Sequence, residues 1–183
     1  MPADETERVK VWNTFFELAH DEAASLKRLQ KPTWVAKHHT FLGGTLDDEK
    51  TRSLAVVAWC YLALEARVSH LIDELKDDHV LSDDEALAAH FLPTKEKWAL
   101  LPKLAGKSKT VSFGRPPQQA IAELASLRND VLHVKYDHLV KRLPTPKKAV
   151  KLFNEFVDAM EDMNVVLGRH PQPDSNVLGI ALD

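Results

Sequence analysis

The sequence predicts an all-α protein, an antiparallel four-helix bundle with a short helical insertion between the second and third long helices. Four long segments repeat apolar residues at spacings of three and four, which is the pattern of one helix face buried against a core. The chain has only six glycines in 183 residues, few for a fold rich in strands and tight turns. We therefore expect no β-strand.

The length and the hydrophobic content of 44% suit one domain with a proper core. We expect a single helical domain over residues 1–168 and a tail, residues 169–183, that packs on the bundle or on a partner subunit. The single cysteine, Cys60, has no disulfide partner, and the N-terminus shows no signal-peptide pattern. The apolar run 54–64 is shorter than the roughly 20 residues of a membrane span. We expect a cytoplasmic protein with no membrane contact.

The first two long helices are predicted over residues 6–30 and about 47–76. Pro32 ends the first, and a connection with a Gly43–Gly44 break follows. Asp47 is an N-cap residue of the second helix. The apolar stripe of this helix consists of Leu54, Ala58, Tyr61, Glu65, Val68, Ile72 and Leu75. A buried carboxylate at Glu65 needs a cation or hydrogen-bond donors. Arg128 is one candidate partner, and an ordinary structural ion pair or a position at the wet edge of the stripe is an equally open alternative.

Shorter elements come next. The capping-box pattern from Ser82 to Glu85 predicts a helix over 83–91, and Pro93 opens another over 94–104. The basic loop 106–114 contains Gly-Lys-Ser but lacks the earlier glycine and the preceding strand of a phosphate-binding P-loop, which excludes that motif. The third long helix opens at Pro116–Pro117 and breaks near 136–143. The fourth starts at Thr145–Pro146 and ends at Gly168.

Charge is distributed unevenly along the chain. Residues 92–151 hold 13 basic and 4 acidic side chains, a net charge of +9, whereas the remainder carries −12. Such a separation favours a polyanionic partner near the basic segment.

The basic segment includes the stretch 120–138, which has four polar residues suited to phosphate chemistry, namely Arg128, Asn129, Asp130 and His133. On a regular helix, five residues place Arg128 and His133 about 140° apart with a rise of roughly 7.5 Å. One phosphate cannot then meet both side chains unless the helix ends near His133 or a second subunit brings its own copy. Asn129 lies four residues before His133 and can orient the imidazole.

The segment LRNDVLHVKYD between the third and fourth long helices resembles the Arg-x4-His signature of the HEPN superfamily, in which a polar residue commonly follows the arginine. That family comprises small helical bundles, and many members are metal-independent ribonucleases of toxin–antitoxin, phage-defence and RNA-processing systems. The resemblance implies a homodimer with the cleft at its two-fold interface. It also implies an antitoxin or nucleotidyltransferase partner. The tyrosine that some members carry two residues after the histidine is one position later here, at Tyr136.

The resemblance assigns catalysis to Arg128, Asn129 and His133. The imidazole transfers protons near neutral pH, and the guanidinium stabilises the phosphorane. Asp130, Glu65 and Tyr136 would support the site, and the expected contacts to the RNA backbone are Lys107, Lys109, Arg115 and Lys135. No cofactor is implied, and no histidine or cysteine spacing typical of a metal site occurs. The alternative is a non-catalytic helical module that binds a nucleotide or a protein partner.

Overall fold

The computed structural model of the chain describes residues 5–29, 38–41, 44–132 and 144–169. Helices form this part of the chain, apart from one short hairpin. They are α1 (Glu5–Leu29), α2 (Asp48–Asp77), α3 (Asp83–His90), α4 (Thr94–Leu104), α5 (Gln118–Leu132) and α6 (Pro146–Leu167). The helical class is confirmed.

The predicted bounds of α1 to α4 and of α6 agree with the structure to within one residue. The capping box forms as expected, since the Glu85 carboxylate accepts from the Ser82 backbone N–H at 2.9 Å and the Glu85 N–H donates to Ser82 Oγ at 3.3 Å. Thr145 Oγ1 accepts from the Lys148 N–H at 3.3 Å, and Gly168 closes α6 in the left-handed conformation (φ +73°). These caps satisfy the free backbone groups at the helix ends.

The expectation that no strand forms is wrong in one segment. Strands β1 (His38–Phe41) and β2 (Gly44–Asp47) pair antiparallel, with His38 opposite Asp47 and Phe41 opposite Gly44. Each strand has only four residues, too few to show a clear alternation of apolar and polar side chains.

Helix α2 is the central element, because every other helix of the described chain packs against it. The predicted apolar stripe covers only part of its buried surface. Leu54 and Ala58 on that stripe are half-buried, whereas Cys60, Leu64 and Leu71, which lie outside it, are buried. The helix is long and apolar enough to cross a membrane, but 61% of its most apolar window is buried inside the protein. It is thus compatible with the core helix of a soluble protein.

Aromatic side chains fill the core between α1 and α6. The ring of Phe16 lies 5.8 Å from that of Phe153 and 6.0 Å from that of Phe156, centroid to centroid. Trp98 on α4 is fully buried, and its indole N–H donates to the Gln118 side-chain oxygen at 2.7 Å. Because a buried indole needs a hydrogen-bond acceptor, this contact fixes the start of α5 against α4.

A buried cation, which the sequence pattern did not predict, joins α1, α2 and α6. The Arg67 guanidinium lies 5.1 Å from the centroid of the Trp12 ring and donates to Asn164 Oδ1 at 3.2 Å. Burial, together with the nearby charge of Arg169, lowers the pKa of Arg67 to about 10. Arg169 is paired with Glu74, which also accepts from His70 at 3.1 Å. The hydrogen bond to Asn164 and the cation–π contact with Trp12 replace the hydration that the Arg67 guanidinium loses on burial.

Replacing Phe153 by alanine removes the ring that Phe16 packs against. We expect the free energy of unfolding to fall by about 3–5 kcal/mol, because a large buried cavity replaces the ring. Urea denaturation followed by circular dichroism measures this. Val165→Ala on the exposed face of α6 is the control and should change stability by less than about 0.5 kcal/mol. Equal losses in the two variants would contradict the described core.

Cys60 provides a second check on the core, because it is the chain's single cysteine and is fully buried. Burial raises the pKa of its thiol, so the reactive thiolate is scarce at neutral pH. The native protein should not react with a thiol reagent such as dithionitrobenzoate, and one equivalent should react once urea unfolds it. Rapid reaction of the folded protein would show that α2 is not central.

Candidate functional site

A cleft of about 550 Å³ lies where α2, α4 and α5 meet, at the level of the segment between α3 and α4. It is lined from α2 by Tyr61 and Glu65, and from α5 by five residues, namely Ala122, Ala125, Ser126, Arg128 and Asn129. The remaining wall comes from residues 90 and 92–97, which include the first turn of α4. Of the predicted site residues, Arg128, Asn129 and Glu65 are thus brought together.

Arg128 is held by contacts from two elements. Its guanidinium lies 5.4 Å from the centroid of the Tyr61 ring, and its Nη1 donates to Asn129 Oδ1 at 3.1 Å. The ring face attracts the cation without neutralising it. The guanidinium therefore keeps N–H groups for an anionic ligand, since a guanidinium carries five donors.

Tyr61 is itself fixed on its other side. Its hydroxyl shares a buried hydrogen bond of 2.9 Å with the Thr94 hydroxyl at the start of α4. One side chain of α2 therefore sets the position of both α4 and the α5 arginine. The apolar spacing of α2 placed Tyr61 on the stripe, but this spacing does not indicate a part in the site.

Three cations line the cleft, and none of them forms an ion pair within the described chain. They are Arg128, Lys97, which is only 7% exposed, and Lys95, whose ammonium lies 4.9 Å from the centroid of the Phe113 ring. Cations that form no ion pair with a described carboxylate, in a partly desolvated wall, favour an anionic ligand. The lysines were counted in the basic segment, but their place beside Arg128 depends on the turn between α3 and α4.

Two carboxylates, Glu65 and Glu96, line the same cleft. Glu65 is half-buried, and no ion pair joins it to Arg128 in the structure as described. Of the readings left open by the sequence, the position at the wet edge of the apolar stripe fits this geometry. Five charged side chains line the cleft, three of them positive and two negative, so their net charge is +1.

The cleft also contains a histidine that sequence analysis did not assign to the site. His90, the last residue of α3, lies in its wall, and its Nε2 is 3.0 Å from Asp73 Oδ1 on α2. Nothing in the local sequence marks this pair, because the two residues are 17 positions apart and belong to different helices. The one sequence feature that could have suggested a partner for His90 was the acidic Asp73 on the face of α2 that packs against α3.

The predicted RNA-backbone contacts lie outside the cleft wall. Lys107, Lys109 and Arg115 are exposed on the segment that joins α4 to α5. The Lys107 ammonium lies beside Gly168, at the C-terminal end of α6. It would be 3.8 Å from a Cβ atom built on that glycine. A cation there also interacts favourably with the helix dipole.

The remaining predicted residues lie in or next to the part of the chain that the structure leaves undescribed. Asp130 belongs to α5. His133, Lys135 and Tyr136 follow the last described residue of that helix and lie outside the described residues. The C-terminal tail beyond Arg169 also lies outside the described residues. In the chain as far as it is described, no three His, Cys, Asp or Glu side chains group as metal ligands would.

A double-mutant cycle tests the contact between Arg128 and the Tyr61 ring. We expect Tyr61→Leu and Arg128→Ala to show a coupling free energy of about 0.5–2 kcal/mol in urea denaturation, the range for cation–π pairs. Tyr61→Phe keeps the ring but loses the bond to Thr94, so it serves as the control and should retain the coupling. Additive effects of Tyr61→Leu and Arg128→Ala would show that the ring does not hold the guanidinium.

No known protein matches this chain, so a function has to be inferred from the geometry of the cleft. The chain matches no protein-family model, and neither the curated proteins nor the solved structures include a match to it. The resemblance to the HEPN superfamily accordingly rests on the Arg128–His133 spacing and on the helical class.

Proposed function

We propose that the protein is a metal-independent endoribonuclease of HEPN type, with Arg128 stabilising the reacting phosphate. The single observation that carries the proposal is the Arg128 guanidinium, which has no ion-pair partner among the described residues, in a cleft with two further cations, Lys95 and Lys97. A bidentate guanidinium suits a phosphate better than a lysine alone does. The cleft is also large enough for part of a nucleotide chain.

The proposed reaction breaks the P–O5′ bond of RNA and leaves a 2′,3′-cyclic phosphate. It needs a base for the 2′-hydroxyl proton, an acid for the leaving 5′-oxygen and positive charge near the phosphorane. Arg128 supplies the charge, and the hydrogen bond to Asn129 restricts its orientation. His133, four residues after Asn129 in the sequence, supplies proton transfer.

The proposal includes an architecture and an assembly. The long helices α1, α2, α5 and α6 form an antiparallel four-helix bundle, with α3 and α4 as the insertion that completes the cleft wall. Two copies associate so that the α5 ends face each other, which brings a second Arg128 and His133 toward one cleft. The protein acts in the cytoplasm, in a toxin–antitoxin, phage-defence or RNA-processing system, with an antitoxin or nucleotidyltransferase as regulator.

Cleavage of labelled single-stranded RNA in the presence of EDTA tests the activity. We expect the wild-type protein to produce fragments that end in a 2′,3′-cyclic phosphate. Arg128→Ala and His133→Ala should each lower the rate by about 10²-fold or more, as for other lost charge-stabilising or proton-transfer groups. Arg128→Lys should recover only part of the activity, because it keeps the charge but loses the planar pair of donors.

Lys151→Ala is the matched control, since this lysine pairs with Glu155 on α6 and does not line the cleft. It should cleave at the wild-type rate. If the wild-type protein leaves RNA of mixed sequence intact at every pH between 5 and 9, the ribonuclease proposal is wrong.

Binding measured at several salt concentrations separates the ribonuclease from a non-catalytic protein-binding module. RNA affinity should fall steeply between 50 and 200 mM salt, because phosphate binding releases counterions from the nucleic acid. Fluorescence anisotropy with a 2′-deoxy analogue, which resists cleavage, gives the slope. Lys97→Ala should reduce the logarithmic slope by about 0.7, the contribution of one phosphate contact with a single strand. Absent or salt-independent binding would favour the protein-binding module.

A further inference from the structure

We infer that His90 is a second proton-transfer residue of this site and that Asp73 positions it. The inference rests on the proposed ribonuclease activity and concerns the same cleft. It follows from a pair on two different helices, His90 on α3 and Asp73 on α2, joined by a 3.0 Å contact.

The geometry of the pair defines the tautomer. The contact uses Nε2 of His90, so an Nε2–H that donates to the Asp73 carboxylate leaves Nδ1 with a free lone pair. In the described chain no hydrogen bond occupies Nδ1, and the side chain is about one-third exposed, at 31%. A carboxylate on one imidazole nitrogen and an open second nitrogen is the arrangement that general-base histidines use.

The place of the pair supports a chemical role over a purely structural one. His90 lies in the wall of the cleft that also holds Arg128, and the charged groups that line this cleft are Glu65, Lys95, Glu96 and Lys97 in addition. A structural clamp between α2 and α3 would serve equally well away from the cleft. Because both residues line one cleft, the imidazole and the guanidinium face the same enclosed space.

The reaction itself requires two proton-transfer groups, one to remove a proton and one to add one. His133 supplies one of them in each chain. Without a second histidine in the same chain, the other must come from a partner subunit or from water. His90 supplies it from the wall of the cleft that also holds Arg128.

The proposed step balances in the following way. Nδ1 of His90 takes the proton of the 2′-hydroxyl, and the 2′-oxygen forms a bond to phosphorus. The P–O5′ bond breaks, and the 5′-oxygen takes its proton from the protonated His133. The products are a 2′,3′-cyclic phosphate and a 5′-hydroxyl. The positive charge left on His90 is stabilised by Asp73.

His90→Gln is the decisive variant, because glutamine keeps a donor for Asp73 but cannot carry the proton. We expect the cleavage rate of labelled single-stranded RNA to fall about 10²- to 10⁴-fold, the usual contribution of a general base. Affinity for the 2′-deoxy analogue should stay within twofold of wild type. His20→Gln is the matched control, since His20 on α1 also contacts a carboxylate, Asp21, but is not in the cleft wall.

Chemical rescue separates catalysis from folding. Added imidazole should raise the cleavage rate of His90→Ala at least tenfold. It should leave the cleavage rate of His20→Ala unchanged. Asp73→Asn should lower kcat, because the imidazole loses the carboxylate that fixes its orientation, and affinity for the 2′-deoxy analogue should stay within twofold of wild type. Asp73→Glu, which keeps a carboxylate, should recover part of the lost kcat.

The outcomes distinguish the two proposals. An active wild type whose His90→Gln variant cleaves within threefold of its rate overturns the inference about His90 and leaves the ribonuclease intact. A His90→Ala variant that is inactive and is not rescued by imidazole while folded also overturns it. A wild type without activity on any RNA overturns the ribonuclease and this inference together.

Discussion

The burial of α2 is the constraint on which the rest of the structure depends. All five other helices of the described chain pack on it, so its side chains set the positions of elements that do not contact one another closely. Burial on several faces explains why it carries more apolar residues than a one-sided helix needs. It also explains the buried Arg67, because a polar residue on a helix with little exposed surface must find its partners inside the protein.

The candidate site is a consequence of that packing. Tyr61 of α2 supports the Arg128 guanidinium with its ring and holds the start of α4 through its hydroxyl. Asp73, about three turns further along α2, holds the end of α3 through His90. The same helix therefore positions both a cation and an imidazole at one cleft. Rigid helices supply such sites more accurately than loops do, because their side-chain directions are restricted by the core.

Much of the fold could be predicted from the sequence, because caps and apolar spacing are local signals. Ser82 with Glu85 and Thr145 with Pro146 marked helix starts that the structure confirms. The hairpin was missed, because strands of four residues show too little alternation. For the site, the motif placed Arg128 and Asn129 correctly on one element. The positions of Lys97 and His90 in the same cleft could not be predicted, because they depend on tertiary contacts between separate helices.

The central claim is that the α2–α4–α5 cleft binds an RNA phosphate at Arg128. A crystal structure with a short single-stranded RNA, methylated on its 2′-oxygens to prevent cleavage, tests it most directly. The account predicts a phosphate whose oxygens accept hydrogen bonds from the Arg128 guanidinium, with Lys97 beside it and the adjacent 2′-oxygen near Nδ1 of His90. RNA bound only along the exposed 106–114 segment, with the cleft empty of nucleotide, would contradict it.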